Sequence, residues 1–163
     1  MNSLSGNSIV HSQVEPARLA MAYVALVVVT APMEGIWYLG LASDLYDREI
    51  GPLMNVQFDV FVAVIYYLVY SLGALIFAVR PALERKSPFA ALHRGALLGF
   101  FCYCTHDLTN LADVHGYTWK IALVDIAWGV FVTGAACWVG FFAGDRILAR
   151  HRLDDRNSSL DRG

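Results

Sequence analysis

The stretch Tyr103-Cys104-Thr105-His106-Asp107-Leu108-Thr109-Asn110 closes an apolar run that begins at Phe89. It brings a carboxylate, an imidazole and an amide to the part of a membrane helix where lipid tolerates none of them cheaply. On a 3.6-residue period, Tyr103, Asp107 and Asn110 fall within one narrow arc. Cys102, His106 and Thr109 extend that arc on one side. Leu97, Phe101, Cys104 and Leu108 lie opposite, a face suited to lipid. A helix so divided belongs in a bundle, with its polar arc turned inward.

Three further apolar runs surround this one: Ala17 to Ala42, Gln57 to Val79 and Tyr117 to Gly144. Each exceeds the roughly 20 residues needed to cross a bilayer. The first is far longer than a signal-peptide core of about 7–15 residues and contains Glu34, so it reads as an uncleaved span. Composition agrees. The 163 residues are 57% hydrophobic and 16% charged, with mean hydropathy +0.49. A soluble domain has roughly 45–50% apolar and about 25% charged residues. The predicted fold is therefore all-α, an integral-membrane four-helix bundle with spans 17–42, 57–79, 89–112 and 117–144. Residues 1–16 read as a disordered tail, 43–56 as a polar loop, 80–88 as a basic connection, and 145–163 as a charged tail.

Lysine and arginine orient the bundle. Ten of the twelve, including Arg18, Arg80, Arg94 and Arg146, fall on one side; Arg48 and Lys120 fall on the other. Under the positive-inside rule both termini are cytoplasmic, in a bacterial inner membrane. A net charge of -2 argues against a nucleic-acid partner. The partner implied is the lipid bilayer. The small residues of the fourth run (Ala122, Gly129, Ala136, Gly140) form a face that permits homo-oligomerisation.

The acids converge in depth. Glu34 is sixteen residues beyond Arg18, about 24 Å at about 1.5 Å per residue. Asp107 is thirteen beyond Arg94, about 20 Å. Asp125 is eight below Tyr117, about 12 Å from the outer face. Asp59 begins its run at the outer side, where it fits equally well as a helix cap. The candidate polar pocket is thus Glu34, Asp59, Tyr103, His106, Asp107, Asn110, Asp125 and Trp128, in the outer half of the bilayer. Trp37 and Trp128 each follow an acid by three residues and read as packing or anchoring rings. Asp107 and Asp125, on helices joined by a short loop, are expected to act as a coupled pair, one donating a hydrogen bond to the other or to Asn110.

Helix glue is the plainer reading of these groups. Interhelical hydrogen bonds in membranes average about 0.6 kcal/mol, whereas each acid costs about 2.5–3.5 kcal/mol to insert. Several acids used as glue alone are a poor return, which favours function. The three cysteines, Cys102, Cys104 and Cys137, form no CxxC pair. On a helix Cys104 points away from Cys102 and His106, so no metal site is read. No cofactor is indicated.

Several motifs resemble a family of short bacterial membrane proteins designated domain of unknown function 2177. They are Glu34-x-x-Trp37, Tyr46 with Glu49-Ile50-Gly51, Gly95-Ala96-Leu97-Leu98-Gly99, Asp107-Leu108-Thr109-Asn110-Leu111 and Val124-Asp125-Ile126-Ala127-Trp128-Gly129. The resemblance covers most of the chain outside its tails. It implies a four-helix membrane protein and associates it with genes for lipid modification and flavin-dependent oxidation. The chain departs at two positions: Glu34 stands where that family commonly has Asp, and His106 where it commonly has Tyr. Two functions stay open: handling of a lipid or small molecule, as an enzyme or an enzyme's membrane partner, and a minimal oligomeric transporter or proton-linked channel.

Reporter fusions test the orientation. A fusion after Gly144 should report cytoplasm and one within 43–56 the opposite side; a C-terminus outside the cell would refute the four-span reading.

Overall fold

Proline at the first helical position starts the architecture. In the computed structural model, which describes residues 14–53 and 59–160 (the backbone alone at 53 and 147–160), α1 runs Pro16–Ile36. A wider π-helical turn, Trp37–Leu41, prolongs it. Then come α2 (Ser43–Ile50), a short 3-10 turn (Gly51–Leu53) and α3 (Val60–Ala74). A second π-helical turn, Leu75–Val79, joins α3 to α4 (Arg80–Glu84). The last elements are α5 (Pro88–Asp113) and α6 (Trp119–Leu160).

The protein is all-α. Among the described residues, three segments are long and apolar enough to cross a membrane: Pro16–Leu41, Val60–Glu84 and Trp119–Arg146. The helix that carries the opening stretch, α5, is not among them, although four spans are expected from sequence. His93, Arg94, His106, Asp107 and Asn110 dilute its apolar character.

The boundaries differ from the sequence reading in three places. Residues 43–50, expected as loop, form α2, because Ala42, Tyr46 and Ile50 recur every fourth residue and bury one stripe against Ile121. The basic connection is helical through Glu84, where Ala82 and Leu83 are buried in the core. The backbone of α6 continues to Leu160, through the segment read as a charged tail; no glycine or proline interrupts 145–160. The N-terminal tail lies outside the described residues up to 13.

Antiparallel α5 and α6 are joined by a five-residue turn in which Gly116 adopts φ 90°, a conformation open to glycine at no steric cost. α6 lies between α1 and α5, and the Leu75–Val79 turn packs against α5. Two apolar clusters hold the ends. At the Arg18 end, Ala22, Leu26, Ala78, Val79, Leu83, Ala91, Cys137 and Phe141 join all the long helices. At the Tyr117 end, Ala42, Tyr46, Ile50 and Ile121 dock α2 on α6. Arg18, 7% exposed, ties α1 to α6: its Nε donates to the Gly144 carbonyl and its Nη2 to Asp145, both at 3.3 Å.

The face assignments follow from this packing. Leu97, Phe101 and Leu108 are exposed, whereas Asp107 is fully buried. Ala122, Gly129, Val132, Ala136 and Gly140 are all buried within one chain. The small-residue face expected to permit oligomers is therefore consumed by α5 and α1 of the same protomer.

α5 and α6 meet with almost nothing between their backbones. A Cβ on Gly95 would stand 2.7 Å from Cys137 Cβ, and one on Gly99 would run into the Gly129 carbonyl and stand 2.8 Å from Thr133 Oγ1. Such small-residue contacts let membrane helices approach closely. Gly73, in contrast, has nothing within 4 Å of a built Cβ. Gly99→Ala should therefore destabilise the detergent-solubilised protein by about 1–3 kcal/mol. Gly73→Ala should be neutral or stabilising by up to about 1 kcal/mol. Thermal unfolding of the two variants checks the contrast; equal shifts would refute the close crossing.

Candidate functional site

A glycine and a tyrosine place the first carboxylate. Gly129 on α6 leaves room for the ring of Tyr103, into which any Cβ at 129 would project. Tyr103 crosses there from α5 and its hydroxyl donates to Glu34 Oε1 of α1 at 2.6 Å. Trp128 Nε1, one residue before that glycine, donates to the same oxygen at 3.2 Å. Three helices thus meet on one carboxylate oxygen.

The indoles extend the site. Trp128 stacks on Trp37 with centroids 4.3 Å apart and planes 6° from parallel. Trp37 sits in the π-helical turn that prolongs α1, three residues beyond Glu34. Its Nε1 donates to the Tyr46 hydroxyl at 3.3 Å, and that hydroxyl donates to Asp125 Oδ1. Tyr46 belongs to α2, so the short helix closes the Tyr117 end of the bundle over Asp125. Glu49 pins it there, accepting from Lys120 Nζ at 2.9 Å and Thr118 Oγ1 at 2.8 Å. These bonds, Lys120 first, hold the Glu49 carboxyl below its ordinary pKa. A depressed acid stabilises above its unfolded pKa, so this attachment of α2 weakens as pH falls through the folded value.

Asp107 is 0% exposed. Its Oδ1 accepts from Tyr117 Oη at 2.5 Å, and its Oδ2 has no partner among the described residues. Asp107 of α5 and Asp125 of α6 each have their own tyrosine donor. The hydrogen bond expected between them, or from one to Asn110, is not formed. Each of the two carboxylates takes its donor from a tyrosine, Asp107 from Tyr117 and Asp125 from Tyr46, and Asn110 Nδ2 pairs with His106 Nε2 at 2.9 Å on an exposed flank.

The eight residues singled out from sequence thus separate. Glu34, Tyr103 and Trp128 meet directly. Asp125 joins them through Tyr46, Trp37 and the indole stack, and Asp107 lies beside Asp125. His106 and Asn110 pair one turn apart, and His106 is exposed. Asp59 stands apart: exposed, it caps α3, accepting from the Val62 amide at 3.1 Å. Tyr46, Tyr117 and the indole of Trp37 complete the site and were not chosen from sequence. The fourfold spacing Ala42, Tyr46, Ile50 carried the signal for Tyr46. Beyond the site, Tyr70 of α3 and Thr133 of α6 share a 2.7 Å hydroxyl bond.

Among the described residues no group of three or more His, Cys, Asp or Glu is placed to hold a metal ion. No lysine or arginine among them pairs with Glu34, Asp107 or Asp125. The arrangement is a chain of carboxylates held by phenol and indole donors.

Removing the Tyr46 hydroxyl tests that chain. Tyr46→Phe should cost about 1–3 kcal/mol, since it leaves a buried acceptor short of its donor. In an Asp125→Leu background the same change should cost much less, because the acceptor is gone. Thermal unfolding of the two single variants and the double supplies the cycle; strict additivity would show that the two side chains are not coupled.

The family model described as "Predicted membrane protein (DUF2177)" matches residues 19–142. No curated protein matches the chain. No solved structure matches it either.

Proposed function

Because the chain belongs to the predicted membrane protein family DUF2177, we propose that it is a four-span protein of the bacterial inner membrane, with both termini cytoplasmic, that holds an amphiphile at its polar site. The transmembrane domain is 17–144, between a short N-terminal tail and a charged C-terminal one. α5 is the fourth span. Its 26 residues reach about 39 Å at about 1.5 Å per residue. Asp107 is buried inside the bundle while Leu97, Phe101 and Leu108 face outward; the other polar groups of α5, His93 and His106 among them, are exposed or half-buried. The ten-to-two division of lysine and arginine supports the orientation. With it, Glu34, Asp107 and Asp125 lie in the outer half of the bilayer.

One observation carries the functional reading. Three carboxylates from three helices stand in the bundle with no lysine or arginine paired to them among the described residues. At about 2.5–3.5 kcal/mol each on insertion scales, they cost far more than their hydrogen bonds return as helix glue. Glu34 is half-buried and therefore reachable from the surrounding lipid. The chain is read as acting on a lipid or small amphiphile, as an enzyme or as the membrane partner of one.

Comparative lipidomics of cells with and without the protein tests this. Deletion should change the amount of at least one lipid class. Wild type should restore it, and Glu34→Leu should not. Unchanged lipids, together with solute flux in proteoliposomes, would replace the reading with transport.

A further inference from the structure

The Glu34 carboxylate has a committed oxygen and a free one. Oε1 takes both the Tyr103 and the Trp128 donor. Among the described residues Oε2 takes none, and it is not sealed inside the bundle: the side chain is half-buried and joins no ion pair. Three of the described lysines and arginines are engaged elsewhere. Arg18 is held at Gly144 and Asp145, Lys120 at Glu49, and Arg48 at Asp44.

Aromatic side chains gather at the carboxylate. Trp37 and Trp128 form a parallel stack on one side, and Tyr103 reaches across from another. α3 packs beside α1, and its Tyr66 and Tyr67 stand with ring centroids 5.1 Å apart. Tyr66 is 45% exposed, so the arrangement opens sideways, towards lipid. Asp125 connects to Glu34 through Tyr46 and the indole stack, and the fully buried Asp107 keeps one oxygen without a donor among the described residues.

A carboxylate walled by aromatic rings, backed by further carboxylates, repels anions and attracts cations. Ring faces attract ammonium groups, the more so where water is excluded. Deepening the amphiphile reading above, on which it rests, we propose that the Glu34 site binds an ammonium group, the charged headgroup of an amphiphile whose chain lies along the exposed apolar face of α3. Glu34 Oε2 is the counter-ion, the Trp37–Trp128 stack and the Tyr66 and Tyr103 rings are the walls, and Asp125 and Asp107 supply the field.

The indole stack is a built-in reporter. Trp119 and Trp138 are exposed, and replacing both by Phe leaves Trp37 and Trp128 as the only indoles of the four. In nonionic detergent, this variant is titrated with dodecylammonium, dodecyltrimethylammonium, dodecyl sulfate and a neutral dodecyl glycoside. Tetramethylammonium and ethanolamine serve as headgroups without a chain. The two cationic amphiphiles should change the fluorescence saturably, about tenfold more tightly than the sulfate or the glycoside. Glu34→Gln, which preserves shape, should abolish that preference. The comparison between headgroups needs no Glu34 variant, so it stands even if Glu34→Gln does not fold. Equal binding of all chain-bearing probes would overturn the ammonium assignment and leave the amphiphile reading intact. Binding of none would overturn both. Chain-free cations binding as tightly as their dodecyl counterparts would support the ammonium site and remove the lipid from it.

Discussion

The backbone-to-backbone approach of α5 and α6 is the constraint on which the site depends. Gly95 and Gly99 lie against Thr133, Cys137 and Gly129 with no room for another carbon. In lipid no hydrophobic force pulls helices together, so close contact has to come from small residues and the dispersion they allow. The same closeness lets Tyr103 lie over Gly129 and reach Glu34 on a third helix. A larger residue at 129 would hold that ring away, and the carboxylate would lose its shortest hydrogen bond.

From that crossing the polar layer builds outward. Each carboxylate is met by a phenol: Glu34 by Tyr103, Asp125 by Tyr46 and Asp107 by Tyr117. Phenols suit the role, because each brings one donor on a large apolar ring and adds no charge to the membrane interior. Two of the three come from outside the spans. Tyr46 arrives on α2, which folds back over the bundle and is fastened by Glu49 to Lys120 and Thr118. Tyr117 arrives in the turn between α5 and α6. The end of the bundle is therefore part of the site, and a loop that dangled free would leave Asp125 and Asp107 without donors.

The opposite end is built differently. There Arg18 is buried against the Gly144 carbonyl and Asp145, above a cluster of alanines, leucines and valines from all the long segments. One end is apolar and clamped by the buried Arg18. The other is aromatic, acidic and open beside α3.

The helical class, the long apolar runs and the inward arc of Tyr103 and Asp107 were legible in the sequence, because apolar length and 3.6-residue periodicity are local properties. Family membership was legible too, in Asp107-Leu108-Thr109-Asn110 and in Asp125 with Trp128-Gly129. The pairing of donors with acceptors was not. It depends on how far apart α5 and α6 lie and how each is rotated, and those follow from glycines whose effect appears once two helices meet. The sequence alone joined Asp107 to Asp125 or Asn110; the structure gives each acid a tyrosine and turns Asn110 to His106. It grouped Asp59 with the other acids by depth; the structure keeps Asp59 on its own helix as a cap, since a side chain at a helix start meets free amides before it meets another helix. Composition and period determined which residues leave the lipid. Only the tertiary contacts decided which of them touch, because a hydrogen bond needs its two atoms within about 3 Å, a condition no single helix can set.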